Sequence, residues 1–359
     1  HPNDIHRYKT FKVDDLRGYV LPHAGTKYTG EIISHTLRIK PKSKIKKIYI
    51  IYYPATDEPD IDEPDIERMY HEYYVPLMCL KLFFKVKYVG INLRIGEPKL
   101  RIKKDELVVV SADFSHFLPL EKAINLENKA AHSLMFRKLD DTEYNSIIDD
   151  KKSFQYLYKQ ISKNVNLQWI GRSRSMGFNG VGYLSFLIRE NPKPKLNIPD
   201  GYFVTVYDLD MNSRECLGEW FSVKNKWNKK RETLFIQDVI KKAKETSRLT
   251  GGLNIGIPIM GYTITYLYKV KNKEFIRGYH GIKKDAFYLS DVFLEHTFED
   301  GRWIKPSDKE WLVNSYQFNL SETFQKLNQK LNQKLHKKTL SKRNNYQLYK
   351  ERVVHVSVS

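Results

Sequence analysis

The sequence predicts an α/β domain followed by a smaller α+β domain, and three observations carry that prediction. Over residues 1–200, short β-branched and aromatic runs alternate with segments of helical length and spacing. After Phe221 the polar run VKNKWNKKRE breaks the alternation and has no periodic apolar face. Beyond it, a helix-spaced segment and then strand-like alternation return. A chain of 359 residues with 41% hydrophobic content can bury a large core and is long enough for two domains. The expected division is residues 1–222, a linker at 223–232, a second domain at 233–324, and a basic helical tail at 325–359 that ends in a short strand.

The elements follow in order. The apolar run from Gly18 stops at Pro22-His23-Ala24-Gly25, so a strand presents His23 at its carboxyl end, where ligands gather in open α/β sheets. Lys47–Tyr53 and Leu107–Ala112 read as buried strands, with a helix from Ile66 to Phe83 between them and another from Glu121 to Leu139. Asn191–Pro199, with three prolines, is an extended connection, and Gly201–Tyr207 is a late strand of the first domain. In the second domain Leu234–Ser247 has helical spacing and Tyr262–Lys269 alternates as a strand. A helix is expected at Asp291–Phe298, with residues 299–303 as its polar exit. Val353–Ser359 alternates as a closing strand.

Ser111-Ala112-Asp113-Phe114-Ser115-His116 ends the strand at 107–112 with two polar groups at the same sheet edge as His23. Glu72, in the preceding helix, is positioned to join them. These residues are expected to hydrogen-bond the loops together with no cofactor; the alternative is that they line a cleft. The acidic loop after the second strand repeats DEPDI at 57–61 and 62–66. It reads either as a docking surface for a basic partner or as a solvated loop.

The net charge of +19 is uneven: residues 223–359 hold 27 Lys+Arg against 13 Asp+Glu. Such a surface attracts nucleic acid, an anionic membrane or an acidic protein. No helix-turn-helix, zinc-finger or RNP-like signature accompanies it. In the tail, Leu327, Leu331 and Leu335 are four apart and are flanked by Lys326, Lys330, Lys334, Lys337, Lys338, Lys342 and Arg343. These basic residues are the candidate binding set, for a protein groove first and nucleic acid second, unless the leucines pack on their own domain. Two distant cysteines, Cys79 and Cys216, argue against a disulfide framework or a structural zinc site. No apolar run approaches the roughly 20 residues of a membrane span, and no signal-peptide pattern opens the chain at His1. The expected location is cytoplasmic, alone or within a large assembly.

Several of these motifs together resemble the Memo family, which shares its fold with class III extradiol dioxygenases. They are Pro22-His23-Ala24-Gly25, Tyr28-Thr29-Gly30, Glu72 four residues before Pro76, Ser111 to His116, and Gly171-Arg172 ahead of an apolar segment, Gly177 to Leu187, that the resemblance makes a helix. As the alternative to no cofactor, the resemblance implies a metal at His23, His116 and Asp113, a two-histidine, one-carboxylate set of the kind that suits Fe(II) or another divalent transition metal, and non-haem oxidoreductase chemistry. The departures fall on the family's chemistry. Its Gly-Pro-Ser-His-His becomes Tyr52-Tyr53-Pro54-Ala55-Thr56, its cysteine before Gly-Arg becomes Ile170, and the histidine of its Met-His-Leu-Pro segment becomes Tyr74. None of these replacements is a soft or borderline ligand.

The second domain resembles the AMMECR family through Arg277-Gly278-x-x-Gly281, the Asp-x-Arg-aromatic of Asp300 to Trp303, and a following Ser-rich strand at Asn314–Ser321. Where that family carries a suspected nucleophilic cysteine, this chain has Tyr279, and a phenol of pKa about 10 is a poor substitute for a thiolate. His280 beside it is either a base or a turn residue. Losses concentrated on chemistry-bearing positions favour a non-catalytic platform for protein partners or self-assembly. The alternative is a metal-dependent oxidoreductase with a reduced ligand set.

Overall fold

The computed structural model describes residues 10–61, 68–175, 180–190, 198–222, 226–247, 252–253, 258–269, 280–284, 287–292, 298–299, 302–303 and 347–358. They fall in two compact units, His1–Pro192 and Lys193–Ser359.

The first unit runs β1 (Phe11–Val13), β2 (Leu16–Leu21), α1 (Thr26–Leu37), β3 (Ile39–Pro41), β4 (Lys47–Tyr52), α2 (His71–Phe83), β5 (Lys87–Asn92) and β6 (Glu106–Ser111). It continues with α3 (Leu120–Met135), α4 (Glu143–Ser146), α5 (Lys151–Gln160), β7 (Val165–Arg174) and β8 (Gly182–Glu190). Its main sheet has the order β5-β4-β6-β2-β8-β7. The first four strands are parallel, and β8 is antiparallel to both β2 and β7.

Successive residues of the central strands face opposite sides, so each strand feeds two cores. Val20, Val108 and Val110 pack with Ala130 and Leu134 of α3 and Phe154 of α5. Tyr19, Leu107 and Val109 pack on the other side with Ile33 of α1 and Val75 and Leu80 of α2. The helices after β2 and β4 therefore cover one face, and the helix after β6, which lies between those strands, covers the other. Such a switch opens a crevice at the carboxyl ends of the strands.

Gly18 lies where β2 shifts register against β8, directly opposite Val108 of β6. A Cβ there would sit 1.7 Å from the Val108 carbonyl oxygen, a backbone atom held by the sheet. Gly18→Ala is expected to lower stability by about 3 kcal/mol, as other overpacked cores do. A chemical-denaturation midpoint within error of the parent would contradict this.

Three elements differ from expectation. The helix expected from Ile66 begins at His71, because Met69 pairs with Ile61 and Tyr70 is extended before it. The apolar segment expected as a helix over Gly177–Leu187 is the strand β8, with residues 176–179 outside the described ones. Residues 182–188 are all buried between β2 and β7, and a run that is apolar on both faces carries no periodicity to separate strand from helix. The helix expected to reach Leu139 ends at Met135, because Arg137 takes a left-handed backbone at φ 58°.

The second unit contains β9 (Gly201–Asp208), β10 (Ser213–Trp220), α6 (Lys229–Glu245), β11 (Thr246–Ser247), β12 (Gly252–Leu253) and β13 (Ile259–Lys269). After these come β14 (His280–Lys284), β15 (Phe287–Val292), β16 (Phe298–Glu299), β17 (Arg302–Trp303) and β18 (Gln347–Ser357). An antiparallel sheet of order β10-β9-β13-β18-β14-β15 is its frame. Val204 and Val206 pack there against Ile236, Val239 and Ala243 of α6.

The unit boundary thus lies earlier than the expected break after residue 222. β9 and β10 pair with each other, and β9 pairs with β13, so these strands belong to the second sheet. Lys229 to Glu232, expected within the linker, form the first turn of α6. Glu232 is fully buried there and accepts a hydrogen bond from Trp227 Nε1 at 2.7 Å. Asp291 and Val292 end β15, and Phe298–Glu299 pairs with Arg302–Trp303, where a helix and its exit were expected. Residues 347–352, expected to be helical, belong to β18, which pairs with β13 and β14; the closing strand expected at 353–359 is its second half. The helical stretch at 325–346 and the strand at 314–321 lie outside the described residues.

Candidate metal centre

His23 sits just past the carboxyl end of β2, and Asp113 just past that of β6. The His23 backbone N–H donates to Asp113 Oδ1 at 2.9 Å, which ties the two strand ends together. The His23 ring is bound on both nitrogens. Nδ1 lies 3.0 Å from Ser111 Oγ, while Nε2 lies 3.1 Å from Asp149 Oδ2 and 3.9 Å from Asp113 Oδ2. Asp149 comes from the turn before α5, where its Oδ1 accepts the Asp113 N–H at 2.9 Å. Its neighbour Asp150 caps α5 by accepting the Ser153 N–H and also accepts the Tyr53 N–H, each at 2.9 Å. One donor atom each from His23, Asp113 and Asp149 lies within 4.8 Å of the others.

The electrostatics follow from this geometry. Burial works against a charge on His23, but Asp113 and Asp149 outweigh it and push the imidazole up to about 10. Burial raises Asp113, with His23 opposing the rise and Asp149 adding to it. Burial also raises Asp150, to about 7.

A second group lies beside the first. The rings of His23 and His71 meet edge to face with centroids 5.1 Å apart. His71 is the first residue of α2. Its N–H donates to Asp60 Oδ1 at 2.9 Å, and its Nδ1 contacts Asp60 Oδ2 and lies 3.6 Å from Glu72 Oε2. Burial raises the Asp60 carboxyl, but the bonds from His71 outweigh it and hold the group below its usual range. Glu72 is 3% exposed, and its Oε1 accepts the Ala55 N–H at 2.8 Å. Pro76 has no N–H, so it supplies no helical donor to the Glu72 carbonyl.

Of the sequence-predicted residues, the fold brings together His23, Asp113 and, one group away, Glu72. His116 does not join them. Phe114 N–H donates to Gly182 O and Gly182 N–H to Ser115 O, so the chain keeps pairing toward β8 and carries His116 past the edge. His116 is exposed, with Nδ1 on the Phe114 carbonyl at 2.7 Å. Asp149, His71 and Asp60 were not anticipated. The sequence signal for Asp60 was the first DEPDI copy, which is engaged in the fold: Asp57 pairs with Arg94, and Asp60 holds the start of α2. The second copy lies outside the described residues.

The positions where the Memo family carries other ligands are accounted for locally. Ile170 is in the apolar core, Tyr74 packs against it, and Ala55 meets Glu72 through its backbone. In the second unit, the His280 backbone lies within β14, paired with Val292 and Lys350, and not in a turn. Tyr279 and the basic set Lys326, Lys330, Lys334, Lys337, Lys338, Lys342 and Arg343 lie outside the described residues. Neither cysteine forms a disulfide, and burial pushes the Cys79 thiol up to about 11. No described helix is long and apolar enough to cross a membrane.

One imidazole and two carboxylates offer a divalent ion borderline and hard donors. The three donors that now surround a single imidazole proton are the same atoms that would chelate an ion in its place. No family model matches the chain, and no curated protein matches it.

Proposed function

We propose that the first unit binds a divalent transition metal through His23, Asp113 and Asp149, and that the chain is a metal-dependent enzyme, Memo-like in architecture with an altered ligand set. The observation that carries this reading is the convergence of those three side chains at the carboxyl edge of the parallel strands. Iron(II), manganese(II) and zinc suit the donor set better than a copper(I) ion seeking thiolates. An ion held there supplies Lewis acidity toward a coordinated oxygen. Ser111 on Nδ1 fixes the ring orientation of His23, as an outer-shell partner does in established metal sites. The Asp113–Asp149 backbone and side-chain bonds hold the two carboxylates in register.

A second reading rests on a different fact. His23 has protein partners on both ring nitrogens, as a structural imidazolium would. On that reading the chain is a non-catalytic platform whose partners are proteins or further copies of itself, with nucleic acid as the alternative.

Metal content separates the two. The full chain, loaded with Fe(II) under anaerobic conditions or with Mn(II), is expected to retain bound ion after desalting. His23→Ala and Asp149→Asn are expected to lose the ion of this site, while His116→Ala keeps it. A metal-to-chain ratio in His23→Ala and Asp149→Asn equal to the parent's, or no retention by the parent with any ion, would favour the platform.

A further inference from the structure

The acidic repeat and the start of α2 hold a feature that the His23 site leaves unexplained. Oε2 of Glu72 is buried without a hydrogen bond, although the residue is only 3% exposed. A carboxylate oxygen shut away from water and from donors is costly unless something charged meets it. That oxygen lies 3.6 Å from His71 Nδ1, which also contacts Asp60, and one donor atom from each of the three residues falls within 4.8 Å of the others. Two carboxylates and one imidazole thus converge beside an orphaned oxygen.

We propose that Asp60, His71 and Glu72 form a second divalent-cation site, adjacent to the one at His23. Its donors are nitrogen and oxygen only, the chemistry of manganese(II), iron(II) or zinc. Each residue has a second tie that holds it without an ion. Asp60 takes the His71 N–H, Glu72 Oε1 takes the Ala55 N–H, and the His71 ring rests against that of His23. The antiparallel bridge between Ile61 and Met69 closes the loop that brings Asp60 to the helix. Both carboxylates lie at the start of α2, the end of a helix whose field attracts negative charge. The edge-to-face His23–His71 contact sets the two groups side by side.

The site does not depend on the first being occupied, and stoichiometry distinguishes them. The full chain is dialysed against Mn(II), and separately against Zn(II). Bound metal per chain is then measured in the parent, His23→Ala, His71→Ala and the isosteric Glu72→Gln, each checked for folding by circular dichroism. Expected are two ions in the parent and one in each variant. One ion lost on His23→Ala but kept in His71→Ala and Glu72→Gln would overturn the second site and leave the first standing. One ion lost on His71→Ala and Glu72→Gln but kept in His23→Ala would support the second site and overturn the first. A parent that binds one ion, lost in all three variants, would mean one shared centre and would overturn the proposal, as would no bound ion.

Discussion

Glu127→Ala is expected to destabilise the protein by about 3–5 kcal/mol, the range seen when one partner of a buried ion pair is removed. Glu127 lies on α3 with no exposed surface, and two guanidiniums of β7 converge on it: Arg172 Nε at 3.2 Å and Arg174 at 3.4 Å. Ser115 Oγ donates to the same carboxylate. Without Glu127, two buried cations would face each other across the place its carboxylate held. Burial already pulls Arg174 below its usual range, and Glu127 is the main influence opposing that pull. Gly182 completes the fit, since a Cβ there would stand 1.9 Å from Glu127 Oε1. Equilibrium denaturation of Glu127→Ala tests the expectation, with Glu127→Gln predicted to fall between it and the parent. A loss below about 1 kcal/mol would show the cluster to be solvated in a way its burial denies.

That cluster also explains why part of the site was hidden from the sequence. Gly171-Arg172 stood out as a motif, but its partner lies on a helix 45 positions earlier and carries no local signal. What the sequence could show was local. An apolar run cut off by Pro22-His23, and a β-branched run cut off by Ala112-Asp113, mark strand ends because a strand needs apolar residues until it leaves the sheet. Parallel neighbours then put those two ends on one edge. His71 and Asp149 reach that edge from a helix start and from the turn before another helix, and only the packed fold brings them there.

The misread elements share a cause. β8 is buried on both faces, and a strand of that kind looks like a short core helix. β9 was recognised as a strand, but its partner β13 lies beyond α6, so the sequence alone assigned it to the preceding sheet. The tail strand β18 pairs with β13 across a still longer interval. Strand existence is written in composition, whereas strand partnership is decided by which exposed edges the rest of the chain leaves open.

Apparent affinity of the His23 site for a divalent ion is expected to rise about tenfold per pH unit from neutral pH toward about 10, with one proton released per ion bound. The ion needs a neutral imidazole, and Asp113 and Asp149 hold His23 protonated up to about 10 despite its burial. The metal-free protein must respond in the opposite sense. An unfolded histidine titrates near about 6.5, so over the window from about 6.5 to about 10 the folded state carries the extra proton. The stabilisation from His23 is therefore complete below about 6.5 and is lost as pH rises through about 10, at a slope of about 1.4 kcal/mol per pH unit. Asp113, also raised, contributes with the same sign at lower pH. Calorimetric titration with Mn(II) in buffers of different ionisation enthalpy, between pH 6.5 and 8.5, measures the proton release. Thermal melts of the metal-free chain over the same range measure the other arm. A structural imidazolium with no role in metal binding would show the falling stability alone. Coincidence of the two opposite slopes, both abolished in His23→Gln, would tie the proton and the metal ion to the same three side chains.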